Sequence, residues 1–546
     1  MTRNAVGSFD YIIVGAGSAG CVLADNLSRD GRHRVLVLEA GGSDDSFWIR
    51  TPIGYGRTFA DARVNWKYET QPEAGMNGRR GYWPRGRVVG GSSSINALVY
   101  FRGLAGDFDD WRDQGAPGWG WQDVRPYFER SERRVDADGT THGSGALYIT
   151  DVAPQLHRTC RHFFDAARQI GLPVIADLNA DGAAGLGHYV ITTRDGRRCS
   201  AADAFLRPAL ARPNTKLECH AWVSRVRFEG RRAVGVDYSR DGRNESVTAS
   251  RGVILAAGAV NSPQLLQLSG IGPGALLQRM SIPVLLDSPV VGGWLQDHLA
   301  ITYSYRATEP TLNGELHSAW GKARAGLHYL LTRKGLLSLS VNHAGGLVRG
   351  EPGAERPEFQ LYYNPITYAA GDARRARINP DPFPGFMLSH QPSRPTSRGR
   401  IELASPDFRE APAIRPNYLA TEKDRRDVII GARLLLALQN TQAMRGFIAA
   451  PIGPELAGMD ESQMLADFRA RAATVYHPVG TCRMGQDPAT SVVDPQLEVH
   501  GLEHLFIADA SVFPNITSAN TNAPTLMVAQ KASDLILAAS RTREAS

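Results

Sequence analysis

The stretch Phe9–Leu27 constrains this 546-residue chain more than any other. Tyr11 to Val14 is an apolar run rich in β-branched residues, the pattern of a parallel strand buried on both faces. From Cys21 through Leu23 and Ala24 to Leu27 the apolar spacing becomes helical. Between them lie Gly15, Gly17 and Gly20 in the order GxGxxG. Gly15 permits the tight turn, Gly17 lets backbone N–H groups approach a pyrophosphate, and Gly20 lets helix and strand pack closely, with Ser18 and Ala19 at the helix's positive end. A second strand, Arg34 to Glu39, then ends on an acid where a ribose hydroxyl must be held. An acid there favours an unphosphorylated adenosine ribose, so FAD or NAD over NADP. Glycines alone would join any strand to a helix; the strand, the helix and Glu39 together select a dinucleotide site.

Length allows two or more lobes around a large core. The net charge of +6 comes from arginines scattered among acids rather than from a basic block, which gives nucleic-acid binding little support. The five cysteines (Cys21, Cys160, Cys199, Cys219, Cys482) are far apart, form no CxxC pair and are odd in number. That argues against a disulfide framework or a zinc site and fits a reducing compartment. Met1 to Ser8 carries no apolar segment of secretory type, and no apolar run is long enough to span a bilayer. A cytoplasmic protein is therefore expected.

After Glu39, Ala40 leads into a region rich in Gly, Trp and Arg, including Trp66, with neither helical nor strand periodicity up to Arg87. Such long covers tend to be functional. Pro84 to Ala97 then sets Gly86, Gly90 and Gly91 beside Ser92–Ser94 and Asn96, so that backbone can approach a flat ligand and hydroxyls and an amide can bond it. Asp123 reads as the N-cap of a helix. Leu217 to Tyr238 alternates like a small antiparallel layer, turning at Glu229–Gly230. Gly252 to Leu266 reads as a buried strand, a turn at Gly258, and a helix capped by Ser262 with Pro263 in its first turn. Short strands (358–363, 386–390, 400–403) follow, then one helix over 421–441 with Thr421 and Asp424 as a capping box. The last segments are His477 with its flank Val475 to Gly485, a strand from Leu505 to Asp509, Asn515 to Pro524, and a closing helix from Pro524 to Leu537.

With these segments in place the chain resembles the glucose–methanol–choline (GMC) oxidoreductases, FAD-dependent flavoproteins, almost end to end. The resemblance rests on Gly15–Gly20 with Glu39, on Gly86–Asn96, on Gly258–Pro263 running to Gly272, and on the His477 and Asn520 segments. Its pairing of His with Asn is most similar to the choline dehydrogenase, aromatic or furanic alcohol oxidase and pyridoxine oxidase branches. The resemblance implies an α/β architecture: a Rossmann-like FAD-binding domain with a parallel sheet (residues 1–155, 196–300 and 471–546) and a substrate domain of antiparallel sheet and packed helices (156–195 and 301–470). It implies FAD contacts at Gly15, Gly17, Ser18, Ala19, Gly20, Glu39, Ala40 and Trp66. Further contacts are implied at Arg87, Val89, Gly90, Gly91, Ser92, Asn96, Ala97 and Val99, at Val223, Ala257 and Gly258, and at Tyr476, Asp509, Ala510 and Thr521. No metal is implied. Some members hold FAD covalently through a His whose place here is Ile95, so non-covalent FAD is expected.

Alcohol oxidation removes a proton from oxygen and a hydride from carbon. His477 is the expected catalytic base, since a neutral imidazole accepts a proton near neutral pH. Asn520 takes no proton but can hold the substrate oxygen. The helix starting near Pro524 can offer its positive end to a reduced flavin. The expected reaction is a primary alcohol to an aldehyde, and through the hydrate to an acid, with oxygen or a quinone-type electron acceptor, in a monomer or homodimer. The alternatives are a non-redox lyase of the same fold, of hydroxynitrile lyase or photodecarboxylase type, and a flavin-bearing binding protein without turnover.

Overall fold

The computed structural model describes residues 4–368 and 379–545. At its centre lies the strand Asn4–Val14, whose segment Tyr11 to Val14 is almost fully buried. It pairs in parallel with Val35–Leu38 on one side and Arg243–Leu255 on the other. The strand starts earlier than Phe9 because its first residues pair with Glu245 and Ser246, reached through irregularities in register. Thr215–Glu218 extends the sheet beyond Val35–Leu38, and Leu505–Ile507 pairs with Arg243–Leu255, all in parallel. The antiparallel hairpin of Trp222–Glu229 and Arg232–Arg240 completes the seven strands. The layer expected over 217–238 is thus divided: residues up to Glu218 belong to the parallel edge, and only the hairpin is antiparallel.

A second seven-stranded sheet is antiparallel throughout and built around Leu299–Ala307, Gly385–Pro392 and Phe359–Asn364. Gly185–His188 forms one edge, against Ala344–Val348. Ala473–Thr474, just before the His477 segment, pairs with Leu299 and Ala300, so the chain passes from this sheet directly into the candidate site. Helix Glu422–Gln439 packs on the sheet with Val428, Ala432 and Leu435 inward.

At three helix starts the capping differs from expectation. Helix Trp121–Ser131 is capped at Gly120, and Asp123 acts from inside the first turn by accepting the Gly120 N–H. The helix after the Gly258 turn spans Gly258–Leu268, with Pro263 in its interior. The Ala259 carbonyl that Pro263 cannot pair is taken by the Thr481 hydroxyl at 2.7 Å, and Ser262 donates to Asp509 instead of capping. Thr421 does cap its helix by accepting the Asp424 N–H, but the Asp424 carboxylate bonds Thr396 and Ser397 rather than closing a capping box. The closing helix runs from Asn522 to Ala545, well past Leu537. It lies along Ser18–Ser28, joined by Ser18 to Asn522 at 2.8 Å and Asn26 to Gln530 at 2.9 Å.

Candidate active site

A cavity of about 590 Å³ runs from the carboxyl ends of the parallel strands to the face of the second sheet. This is where open α/β sheets place ligands. Gly15 turns with φ +103°, and a Cβ there would stand 2.6 Å from the Ala256 carbonyl oxygen. Gly17, Ser18 and Ala19 line the cavity at the start of their helix. Glu39 and Ala40 line its far end, with Trp66 and Val223 beside them. The Glu39 carboxylate accepts the Ala16 N–H (2.9 Å) and the Gly41 N–H (2.8 Å), one on each oxygen. Each oxygen keeps a lone pair for a hydroxyl donor. Burial pushes its pKa up to about 7 against the pull of those two N–H groups.

Gly91, Ser92, Asn96, Ala97, Val99, Ala257, Gly258, Tyr476, Asp509, Ala510 and Thr521 also line the cavity. Gly20, Arg87, Val89 and Gly90 do not. A Cβ on Gly20 would meet the Gly15 carbonyl oxygen at 1.9 Å, so Gly20 serves the helix–strand contact alone. Gly90 donates to the Ala16 carbonyl and Val89 to that of Gly42, tying the serine-rich turn to the first glycine loop. Arg87 points outward, bonding the Ala62 carbonyl and lying 5.5 and 5.7 Å from the Trp66 and Trp222 ring centres.

At the end facing the second sheet, His477 is 7% exposed and its Nε2 lies 3.1 Å from Asn520 Nδ2. The proton positions follow from the partners. His298 Nε2 lies 2.9 Å from the Ser393 carbonyl oxygen, which can only accept, so that nitrogen carries a proton. His298 Nδ1 is then a bare acceptor, and His477 Nδ1, 3.1 Å away, must be the donor. The lone pair of His477 is left on Nε2, toward the cavity. Burial first, and the neighbouring His298 and Arg85 next, hold the His477 pKa well below the ordinary imidazole value. The side chain is a neutral base with a fixed tautomer.

The backbone around it is equally constrained. Asp297 accepts the His477 N–H at 2.7 Å and the Thr474 hydroxyl at 2.6 Å. Tyr476 sits at φ +71°, a left-handed conformation costly for a bulky residue. It is held there by its N–H on the Thr474 hydroxyl and by Arg85, which donates to its carbonyl at 2.7 Å. Asp297, His298 and Arg85 were not singled out in the sequence. The order Gln296-Asp-His-Leu299 after a Gly–Gly turn is the signal that could have drawn attention to the first two; nothing local marks Arg85. Tyr55, Phe59, Asn342, Tyr362 and Asn364 also line the cavity, and all lie outside the sequence motifs.

FAD fits what the cavity offers. A Cβ at Gly258 would meet nothing within 4 Å, and one at Gly17 only the Ala256 carbonyl oxygen at 3.8 Å, so these two glycines leave open space on the cavity wall. Asp509 fixes the Gly258 turn by accepting its N–H at 2.8 Å. Asn520 Oδ1 is buried with no partner in the protein, and Thr521, Asn522 and Thr525 at the start of the last helix line the same wall. Ile95 lines the cavity as well, a side chain that forms no covalent link. Among the described residues no cluster suits a metal ion.

Comparison with known proteins agrees with this geometry. The GMC oxidoreductase N-terminal and C-terminal family models match residues 9–300 and 395–529. The chain is 40% identical over 534 residues to an alcohol dehydrogenase [acceptor] of Pseudomonas putida, covering 97% of this chain and 96% of the relative. It is 41% identical over 541 residues to the mitochondrial choline dehydrogenase of Homo sapiens, covering 97% and 89%. Among solved structures, pyridoxine 4-oxidase from Mesorbium loti superposes with a TM-score of 0.85 at 30% identity, over 97% of this chain and 99% of that one. The chain belongs to the GMC oxidoreductase family, whose members are FAD-dependent.

Proposed function

We propose that the protein oxidises a primary alcohol to its aldehyde, with His477 as the base and Asn520 as the group that orients the substrate oxygen. The observation that carries this reading is the His477 Nε2 lone pair, facing the cavity 3.1 Å from the Asn520 amide. The wall from Glu39 to Gly258 would hold FAD, which would supply the acceptor for the carbinol hydride. His477 Nε2 takes the hydroxyl proton, and Asn520 Nδ2–H then donates to the oxygen in place of its bond to His477. His298 and Asp297 keep the imidazole in position while its charge changes.

The relatives described above are named as dehydrogenases and oxidases, and nothing in the comparison favours a lyase. We assign FAD binding to residues 1–155, 196–300 and 471–546 and substrate binding to 156–195 and 301–470. Electrons leave to oxygen or a quinone-type acceptor. Five free cysteines, four of them buried, support a reducing, cytoplasmic setting, and no helix among the described residues is long and apolar enough to cross a membrane. The test is anaerobic mixing of the holoenzyme with a panel of primary, secondary and quaternary-ammonium alcohols. Bleaching of the flavin by primary alcohols is expected; a panel that leaves the flavin oxidised overturns the reading. Parallel assays for peroxide and for dye reduction identify the acceptor.

A further inference from the structure

Helix Ala319–Thr332 is amphipathic in the inverted sense. Gly321, Ala325 and Tyr329 face the protein, with the Tyr329 hydroxyl on the Gly196 carbonyl at 3.1 Å. On the opposite face Trp320, Leu327 and Leu331 recur at i, i+7 and i+11 and are 79%, 58% and 76% exposed, with Leu330 at 55% beside them. A soluble helix ordinarily turns such a stripe inward. Cations frame it: Lys322 on the helix and Arg333 and Lys334 just after it, with Arg324 paired to Glu315 at 2.9 Å and no Asp or Glu from residue 316 to residue 350.

We propose that this face docks the protein on an anionic lipid bilayer surface. An exposed tryptophan at one end of the stripe, leucines along it and flanking cations match the interfacial zone, where indole rings sit at headgroup level and basic side chains meet anionic lipid. The same charges oppose a second copy of the chain as the occupant, because a two-fold pairing would set the cations against each other. The patch is also continuous with the cavity wall. The turn Leu336–Ser338 packs under the helix and against Pro52–Gly54, and Val341, which follows it, lines the cavity and donates to the Tyr55 hydroxyl at 3.3 Å. Docking through this face brings that wall to the membrane.

The test is co-sedimentation of the full-length, FAD-loaded protein with vesicles of phosphatidylcholine alone and of phosphatidylcholine with phosphatidylglycerol. Binding to the anionic vesicles, weakened by salt, is expected. The variant Trp320→Ser/Leu327→Ser/Leu331→Ser and the variant Lys322→Glu/Lys334→Glu should each bind at least about tenfold more weakly, with flavin content and turnover of a water-soluble alcohol unchanged. If the triple variant fails to fold, the charge variant carries the test. No binding to anionic vesicles overturns the proposal, as does equal binding by wild type and variants. A wild-type dimer that the triple variant converts to monomer overturns it in favour of a second copy.

Discussion

Replacing His298 by Leu tests the proposal that His298 fixes the tautomer in which His477 acts as base. His298 is fully buried and lies between the Ser393 carbonyl and His477 Nδ1, at 2.9 and 3.1 Å. Its loss leaves the His477 Nδ1–H without an acceptor in a dry site, which costs about 1–3 kcal/mol for an unsatisfied buried donor. The imidazole escapes that cost by moving its proton to Nε2, the atom proposed to accept from substrate. At about 1.4 kcal/mol per tenfold, kcat/KM should fall roughly 5-fold to 150-fold. His298→Asn, which can place an amide oxygen near the former Nδ1, should recover much of the loss, whereas a merely structural role would not distinguish the two variants so. The assay is anaerobic flavin reduction by stopped flow, with the flavin-to-protein ratio as control. Wild-type reduction in His298→Leu, or equal loss in Leu and Asn variants that retain flavin, would refute the tautomer argument.

The pH profile follows from the same buried imidazole. Because burial, His298 and Arg85 depress its pKa, His477 stays unprotonated through neutral pH, so kcat/KM should be level there and fall only as pH drops through that depressed ionisation; a limb centred at or above the ordinary value of about 6.5 contradicts this. Gly258→Val puts a branched side chain at φ +84° into the open cavity wall. It costs about 1–2 kcal/mol in the backbone alone and should lower the flavin-to-protein ratio after gel filtration, an unchanged ratio counting against the cradle. Acid precipitation of the holoenzyme should release yellow flavin to the supernatant, because Ile95 on the cavity wall has no nucleophilic atom to bond the flavin; colour kept in the pellet would contradict it.

The nucleotide-binding end was readable because its chemistry is local. A strand, three glycines and a helix lie within residues 4–28, and Glu39 follows at the end of the next strand. The serine-rich turn was readable too, although Val89 and Gly90 tie loops together instead of facing the cavity, a division that depends on Ala16 and Gly42 supplying carbonyls from elsewhere in the chain. His477 and Asn520 rested on family resemblance, since their approach requires two loops 43 residues apart to converge. The groups that orient His477 were beyond reach for the same reason. His298 is 179 residues away, and the short strand Ala473–Thr474 on Leu299 and Ala300, continued by the bridge between Gln296 and Val479, brings it alongside. Helix starts were misread where a distant side chain took over a local task, as Thr481 does for the carbonyl that Pro263 leaves free.

The central claim is that the Nε2 lone pair of His477 accepts the substrate proton. Transient kinetics of flavin reduction in His477→Ala test it most directly, with a primary alcohol as reductant and oxygen excluded. The variant should keep its flavin and be reduced about 10²–10⁴-fold more slowly than wild type. A flavin-loaded variant reduced at the wild-type rate would contradict the account.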